Sequence, residues 1–193
     1  MIAKPLGAKD ALILVDVQRD FCPGGALPVP DGQAVVEPLN AWIARARQGA
    51  ALVVASRDWH PRGHPSFKDA GGPWPTHCLQ DTPGARFAAG LKLPRSVVLV
   101  SKGVRFDKDQ YSTFDDTGLA QMLGKRGVRR VWIGGLALDI CVRATALDAL
   151  RAGFETHIIL ESCRALTAQG QETALNELRA AGAIVEEAVT PGL

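Results

Sequence analysis

The sequence predicts an α/β fold in which helices cover both faces of a parallel sheet. Two features carry this expectation. Short apolar runs without polar alternation recur along the 193 residues, as in strands buried on both faces. Between the runs, apolar residues recur at helical spacing, so strand and helix signals alternate in βα order. Right-handed crossovers follow from that order.

Taken along the chain, Ala11 to Val15 is the first strand run. Val35, Val36, Leu39, Trp42, Ile43 and Ala46 form one apolar helical face, and Leu52 to Ala55 is the second run. Val97 to Val100 is the third, followed by a helix marked by Leu119 and Leu123. Val131 to Ile133, a helix through Ala144, Leu147 and Leu150, and Ile158 to Leu160 continue the alternation. Leu175, Leu178 and Ala181 mark the last helix, before Ile184 and Val185. Gly49, Gly127, Gly153 and Gly182 each end a helical stretch ahead of a strand, where a left-handed C-terminal cap is wanted. The one long irregular segment runs from about Arg57 to Pro94, and segments of that length inside a compact domain are usually functional.

At 47% hydrophobic and 22% charged, the chain is long enough for one well-cored domain, expected over residues 1–193. Its 22 basic and 20 acidic residues leave a net charge of +2, and no stretch combines Lys or Arg with interleaved aromatics, which argues against a nucleic-acid partner. The longest apolar runs fall far short of the ~20 residues that span a bilayer, and the N-terminus has no signal-peptide pattern. No membrane association and a cytoplasmic address are therefore expected. Cys22, Cys78, Cys141 and Cys163 are far apart and form no C-x-x-C pair, so free thiols are expected.

Three of the four histidines fall in the irregular segment: His60 and His64 in Asp58-Trp59-His60-Pro61-Arg62-Gly63-His64, and His77 in Trp74-Pro75-Thr76-His77-Cys78. A carboxylate and an imidazole two residues apart, joined by a further imidazole from a Pro/Gly-rich loop, can assemble a three-ligand site for a divalent ion. In open parallel sheets ligands bind beyond the carboxyl ends of the strands. Asp16 closes the first strand run, Asp58 and His60 follow the second, Lys102 ends the third, and Cys141 follows the fourth where a helix begins. A cysteine at a helix start beside an ammonium is biased toward its thiolate, and a nearby carboxylate can move protons, so Cys141, Lys102 and Asp16 form a candidate nucleophilic set. Each residue also has an ordinary reading, as a loop carboxylate, a solvated strand end and a buried helix thiol.

Several stretches are similar to one known family: Asp16-Val17-Gln18-Arg19-Asp20-Phe21 with Pro23-Gly24-Gly25-Ala26-Leu27, Asp58-Trp59-His60-Pro61, and Gly72-Pro73-Trp74-Pro75-Thr76-His77-Cys78. Ser101-Lys102-Gly103, Asp109-Gln110-Tyr111-Ser112 and Gly134-Gly135-Leu136-Ala137-Leu138-Asp139-Ile140-Cys141-Val142 complete the set, in the same order and at compatible spacing. The chain resembles the nicotinamidases, also called pyrazinamidases, of the isochorismatase-like cysteine hydrolase superfamily. The resemblance covers nearly the whole chain. It implies a three-layer α/β/α fold with a six-stranded parallel sheet and one divalent metal ion, with zinc first and iron or manganese as alternatives. Catalytic roles would fall to Asp16, Lys102 and Cys141, and metal ligation to Asp58, His60 and His77. The backbone N–H groups of Ala137 and Cys141 would form an oxyanion hole, with a cis peptide before Ala137. Phe21, Trp74 and Tyr111 would line the ring pocket.

The activity so implied is hydrolysis of nicotinamide to nicotinate and ammonia through a Cys141 thioester, in NAD salvage, with pyrazinamide as a second substrate. Homo-oligomers are common in the family and are expected here. His64 stays outside the ligand set, because relatives differ in its use, and Ile140 stands where many relatives have Tyr. Three other readings are weighed. A related cysteine amidase acting on another small amide or carbamoyl compound would share the catalytic set but not need the metal. Isochorismatases proper lack this cysteine nucleophile. A non-catalytic binding protein would leave Cys141, Asp16 and Lys102 unexplained.

Overall fold

Asp10–Val15 (β1) is buried at every position, because it lies in the middle of the sheet with layers on both sides. The structure is a computed structural model that describes residues 6–186, so the two ends of the expected 1–193 domain lie outside the described residues. The remaining elements are Val36–Gln48 (α1), Leu52–Asp58 (β2), Val98–Lys102 (β3), Leu119–Lys125 (α2), Arg130–Leu136 (β4), Arg143–Arg151 (α3), Glu155–Arg164 (β5), Ala168–Ala180 (α4) and Ile184–Glu186 (β6). The six strands are parallel in the order β3-β2-β1-β4-β5-β6.

Alternate residues of the strands face two separate apolar layers. Leu12, Leu14, Val53, Ala55 and Trp132 pack with Leu39, Trp42, Ile43 and Ala46 of α1. Ala11, Ile13, Val54, Val131 and Ile133 pack with α2, α3 and α4 through Leu123, Ala146, Ala149 and Leu178. This is the expected three-layer arrangement. Strand order runs one way from β1 through β2 to β3 and the other way from β4 to β6, so the switch point lies between β1 and β4. A crevice opens at the carboxyl ends of strands at such a point. At the opposite ends of the same two strands, Arg130 Nε donates to Asp10 Oδ1 at 2.6 Å and its Nη2 to Oδ2 at 2.8 Å, locking their register.

Two sequence expectations are corrected. Gly127, Gly153 and Gly182 take positive φ as expected, but Gly49 does not: its φ is −86°, and Ala50 is the left-handed residue at +55°. Glycine is required at 49 for room, since a Cβ there would stand 1.9 Å from the carbonyl oxygen of Leu6. β5 is also much longer than the apolar run Ile158 to Leu160. His157 hides its start: the buried ring stacks on Trp132 at 4.1 Å and hydrogen bonds to Glu186 and Glu155, so a polar residue sits inside the sheet with its partners supplied.

Candidate active site and metal centre

The ends of β1, β2, β3 and β4 bring together the residues singled out from the sequence. Asp16 follows β1 directly, in left-handed backbone (φ 50°), a conformation that Asp tolerates better than most residues. Asp58 and Lys102 are the last residues of β2 and β3 and are paired across the sheet. Cys141 lies in a π-helical turn, Leu138–Val142, between β4 and α3. The peptide bond between Leu136 and Ala137 is cis, as the resemblance implies.

Lys102 is fully buried. Its Nζ lies 2.7 Å from Asp16 Oδ2, donates to Asp58 Oδ1 at 2.6 Å and to the Gln110 carbonyl at 3.2 Å, and reaches Cys141 Sγ at 3.5 Å. Ser56 Oγ holds the other Asp16 oxygen at 2.7 Å. The Cys141 sulfur and carboxylate oxygens of Asp16 and Asp58 all lie within 4.8 Å of one another. Gln18, which carried no role in the sequence reading, clamps the end of β2. Its side chain accepts from Asp58 N at 2.7 Å and donates to Asp58 O at 2.8 Å and to Ala85 O at 2.9 Å. Its place in the Asp16-Val17-Gln18 run, two residues beyond a strand-end carboxylate, was the available signal.

The electrostatics of the two carboxylates diverge. Burial pushes Asp16 up to about 6, against the opposing pull of Lys102 and with a further push from Asp58. Burial would also raise Asp58, but Lys102, with His60 and His77, outweighs it and holds this carboxyl well below the usual range. Lys102 is held well above its ordinary value, because the two carboxylates overcome the effect of burial. For Cys141 the pull of Lys102 toward the thiolate, expected from the sequence, is present but outweighed. Burial raises the thiol well above its ordinary value, Lys102 opposes this, and the charges of Asp16 and Asp58 add to it. The balance favours the protonated sulfur, and the Asp16 carboxylate lies close beside it.

The histidine segment folds against the same strand ends. His60 Nδ1 donates to the Gly103 carbonyl at 2.9 Å and His77 Nδ1 to the Pro75 carbonyl at 2.7 Å. In a neutral imidazole each bond leaves the Nε2 lone pair free. Those two Nε2 atoms lie 3.7 Å and 3.9 Å from Asp58 Oδ2. Two imidazole nitrogens and one carboxylate oxygen thus converge, with outer ring nitrogens fixed by carbonyls, which is a donor set that fits a first-row divalent ion. Gly103 permits this: its φ is +65°, and a Cβ there would stand 2.3 Å from His60 Cε1.

His64 is also buried against His60, with ring centroids 4.3 Å apart. Its Nδ1 accepts from the Ser66 backbone N–H at 3.3 Å and meets Ser66 Oγ at 2.7 Å, which puts the ring proton on Nε2. Nε2 therefore offers a donor rather than a lone pair, and it has no partner among the described residues. Asp109, unremarked as a single residue in the sequence, lies beside it, with ligand atoms of His60, His64 and Asp109 within 4.8 Å of one another.

A narrow pocket opens over Cys141. Phe21, Trp74 and Tyr111, expected in its wall, line it with Ala137, Asp58 and His77. Trp74 Nε1 donates to Tyr111 Oη at 3.0 Å, joining the histidine segment to the loop after β3 at the pocket wall. Leu27, Val29, Asp109, Ile140 and Leu166 complete the lining. Leu27, Val29 and Leu166 lie in connections between elements, where apolar residues carry no periodic signal.

A parallel α/β hydrolase scaffold with a buried Cys-Asp-Lys set at its switch point defines a class, and the chain belongs to the isochorismatase family: residues 10–189 match the profile described as Isochorismatase domain. Within that family its relatives include enzymes of one kind. The nicotinamidase of Escherichia coli (strain K12) is 36% identical, over 90% of this chain and 92% of its own. The pyrazinamidase of Pyrococcus horikoshii, solved in complex with zinc, is 47% identical with a TM-score of 0.90, covering 93% of this chain and 99% of its own. A structure of PnC1 from L. infantum in complex with nicotinate has 37% identity and a TM-score of 0.90, covering 96% of each chain.

Proposed function

We propose that the protein is a nicotinamidase, an amidohydrolase that converts nicotinamide to nicotinate and ammonia and also accepts pyrazinamide. The observation that carries this reading is the meeting of Cys141, Lys102 and Asp16 at one pocket with Asp58, His60 and His77. Asp58, His60 and His77 would hold one divalent ion, with zinc the first choice. When bound, that ion supplies a Lewis-acid anchor for a pyridine or pyrazine nitrogen.

Catalysis is the work of the chain's own groups. Asp16, ionised above about pH 6, takes the proton of the Cys141 thiol as the sulfur attacks the carboxamide carbon. Lys102 Nζ, 3.5 Å from the sulfur, offsets the negative charge as it forms. Backbone N–H groups of Ala137 and Cys141 receive the oxyanion. The C–N bond then breaks, Asp16 returns the proton to the departing amine, and ammonia leaves an acyl thioester on Cys141. Asp16 next deprotonates a water that attacks the thioester carbonyl, the C–S bond breaks, and the thiol re-forms as the acid is released. Phe21, Trp74 and Tyr111 hold the flat ring during both halves.

The same reading carries a single domain over residues 1–193, a cytoplasmic address, a place in NAD salvage, no nucleic-acid or membrane partner, and self-association into a homo-oligomer, which light scattering would test. Among the described residues no helix is long and apolar enough to cross a membrane. The decisive assay is ammonia and nicotinate release from nicotinamide by the metal-loaded protein. Stoichiometric release supports the reading, and no release, with turnover of a different small amide, replaces it.

A further inference from the structure

The connection from β3 to α2, residues 103–118, contains neither helix nor strand, yet it carries Asp109 and Tyr111 into the pocket lining. Phe106 is 76% exposed at its outer turn, and Gln110, Ser112 and Thr113 are its buried side chains. Thr113 ties the connection to α3, its N–H donating to Thr145 Oγ1 at 3.0 Å. Gln110 ties it to the strand ends.

Every polar group of Gln110 is engaged. Its side-chain Oε1 accepts from the Gly103 N–H at 3.2 Å and its Nε2 donates to the Asp115 carbonyl at 2.6 Å, so the amide bridges the two limbs of the connection. Its own N–H donates to Asp109 Oδ1 at 2.8 Å, and its carbonyl accepts from Lys102 Nζ at 3.2 Å. An ammonium has three protons to place. Asp16 Oδ2 and Asp58 Oδ1 are two oxygens around that of Lys102, and the Gln110 carbonyl is the third. Lys102 is fully buried, so bulk water does not replace an oxygen that moves away. On the other side, the peptide between Lys102 and Gly103 is held at its carbonyl by the Trp59 N–H at 2.9 Å and at its N–H by Gln110. The next carbonyl along, that of Gly103, is the one that accepts from His60 Nδ1. Gly103 has no side chain to restrict its backbone, so these hydrogen bonds fix how it faces the imidazole.

We propose that Gln110 is a positioning residue for both halves of the site: its side-chain amide sets the Gln110 carbonyl against Lys102 and the Gly103 carbonyl against His60. This part rests on the nicotinamidase reading, in which Lys102 serves the sulfur and His60 the ion.

The test uses Gln110→Met, which keeps the length of the side chain without its amide, and Gln110→Ala, which serves if the first does not fold. Lys108→Ala is the control. Half-exposed Lys108 pairs with Asp115 at 2.8 Å and Asp116 at 3.1 Å, so its loss loosens the same connection and leaves Gly103 untouched. Two quantities are read in protein with a wild-type circular dichroism spectrum: zinc affinity by competition with a chromogenic chelator, and kcat for nicotinamide at saturating zinc. The Gln110 variants are expected to lose about tenfold in each, and Lys108→Ala to stay within about twofold of the wild type. Wild-type zinc affinity or wild-type kcat in a folded Gln110 variant overturns the proposal. So does an equal loss in Lys108→Ala, which would make the effect a general loosening of the connection. If the wild type binds zinc but does not hydrolyse nicotinamide, the nicotinamidase reading falls, and zinc affinity alone decides the role of Gln110.

Discussion

Asp16 and Asp58 share one lysine, yet burial and their neighbours shift the two carboxyls in opposite directions. Asp58 stays ionised and available to a cation, while Asp16, raised to about 6, can give and take a proton near neutral pH. Asp16 also raises the thiol of Cys141 by its charge. Asp16→Asn should therefore act in two directions: amide hydrolysis falls by roughly 10²–10⁴-fold, yet iodoacetamide alkylates Cys141 faster at a given pH in chelator-treated protein. Peptide mapping locates the label, and slower alkylation in the variant would contradict the assignment. In the wild type the alkylation rate should keep rising above pH 9, because a raised thiol holds little thiolate at neutral pH; a plateau near pH 7 would indicate a preformed thiolate. Lys102→Met leaves two buried carboxylates without their cation, and urea unfolding should report a loss of about 3–5 kcal/mol. Unchanged stability would mean that the lysine is not what balances them. The acid, the lysine and the cysteine were visible in the sequence as polar residues just past apolar runs. The raised thiol was not, since burial and a second carboxylate outweigh the helix start and the ammonium that the sequence suggested.

At the scale of elements, the site depends on how the loops after β2 and β3 meet. His60 is aimed by the carbonyl of Gly103, which directly follows β3, and the glycine leaves no side chain between them. Gly103→Ala places a Cβ against the imidazole in backbone that disfavours alanine, so metal affinity should fall at least about tenfold while the sheet persists. Competition with a chromogenic chelator measures this, and wild-type affinity would show that the His60 ring is positioned in another way. Strand existence was well marked by apolar runs, because a central parallel strand has no solvent face to alternate toward. Strand length was less legible: polar ends such as Ser56-Arg57-Asp58 in β2 and Glu155-Thr156-His157 in β5 belong to the ladder although hydropathy stops short of them. The Gly49 cap was misread because the glycine serves the close approach of Leu6 and not a left-handed turn.

In the whole molecule, four strand ends and one long loop surround a single pocket, so fold and site stand or fall together. A divalent ion that binds only the folded protein links them quantitatively. At a free concentration 100 times its dissociation constant it should add about 2.7 kcal/mol, so chelation should lower Tm and one equivalent of zinc per chain should restore it. A Tm indifferent to chelator and zinc would count against the Asp58, His60 and His77 site. The order of the strands was not readable from the runs, since hydropathy reports burial and says nothing of which strand lies beside which. Yet the rule that ligands gather at carboxyl ends located the site before its neighbours were known. The central claim is that Cys141 attacks the carboxamide in this pocket. It is tested most directly by the rate of ammonia release from nicotinamide by Cys141→Ala with a full metal complement and an unchanged circular dichroism spectrum. A loss on the order of 10⁴-fold or more is expected, whereas turnover within about tenfold of the wild type would contradict the account.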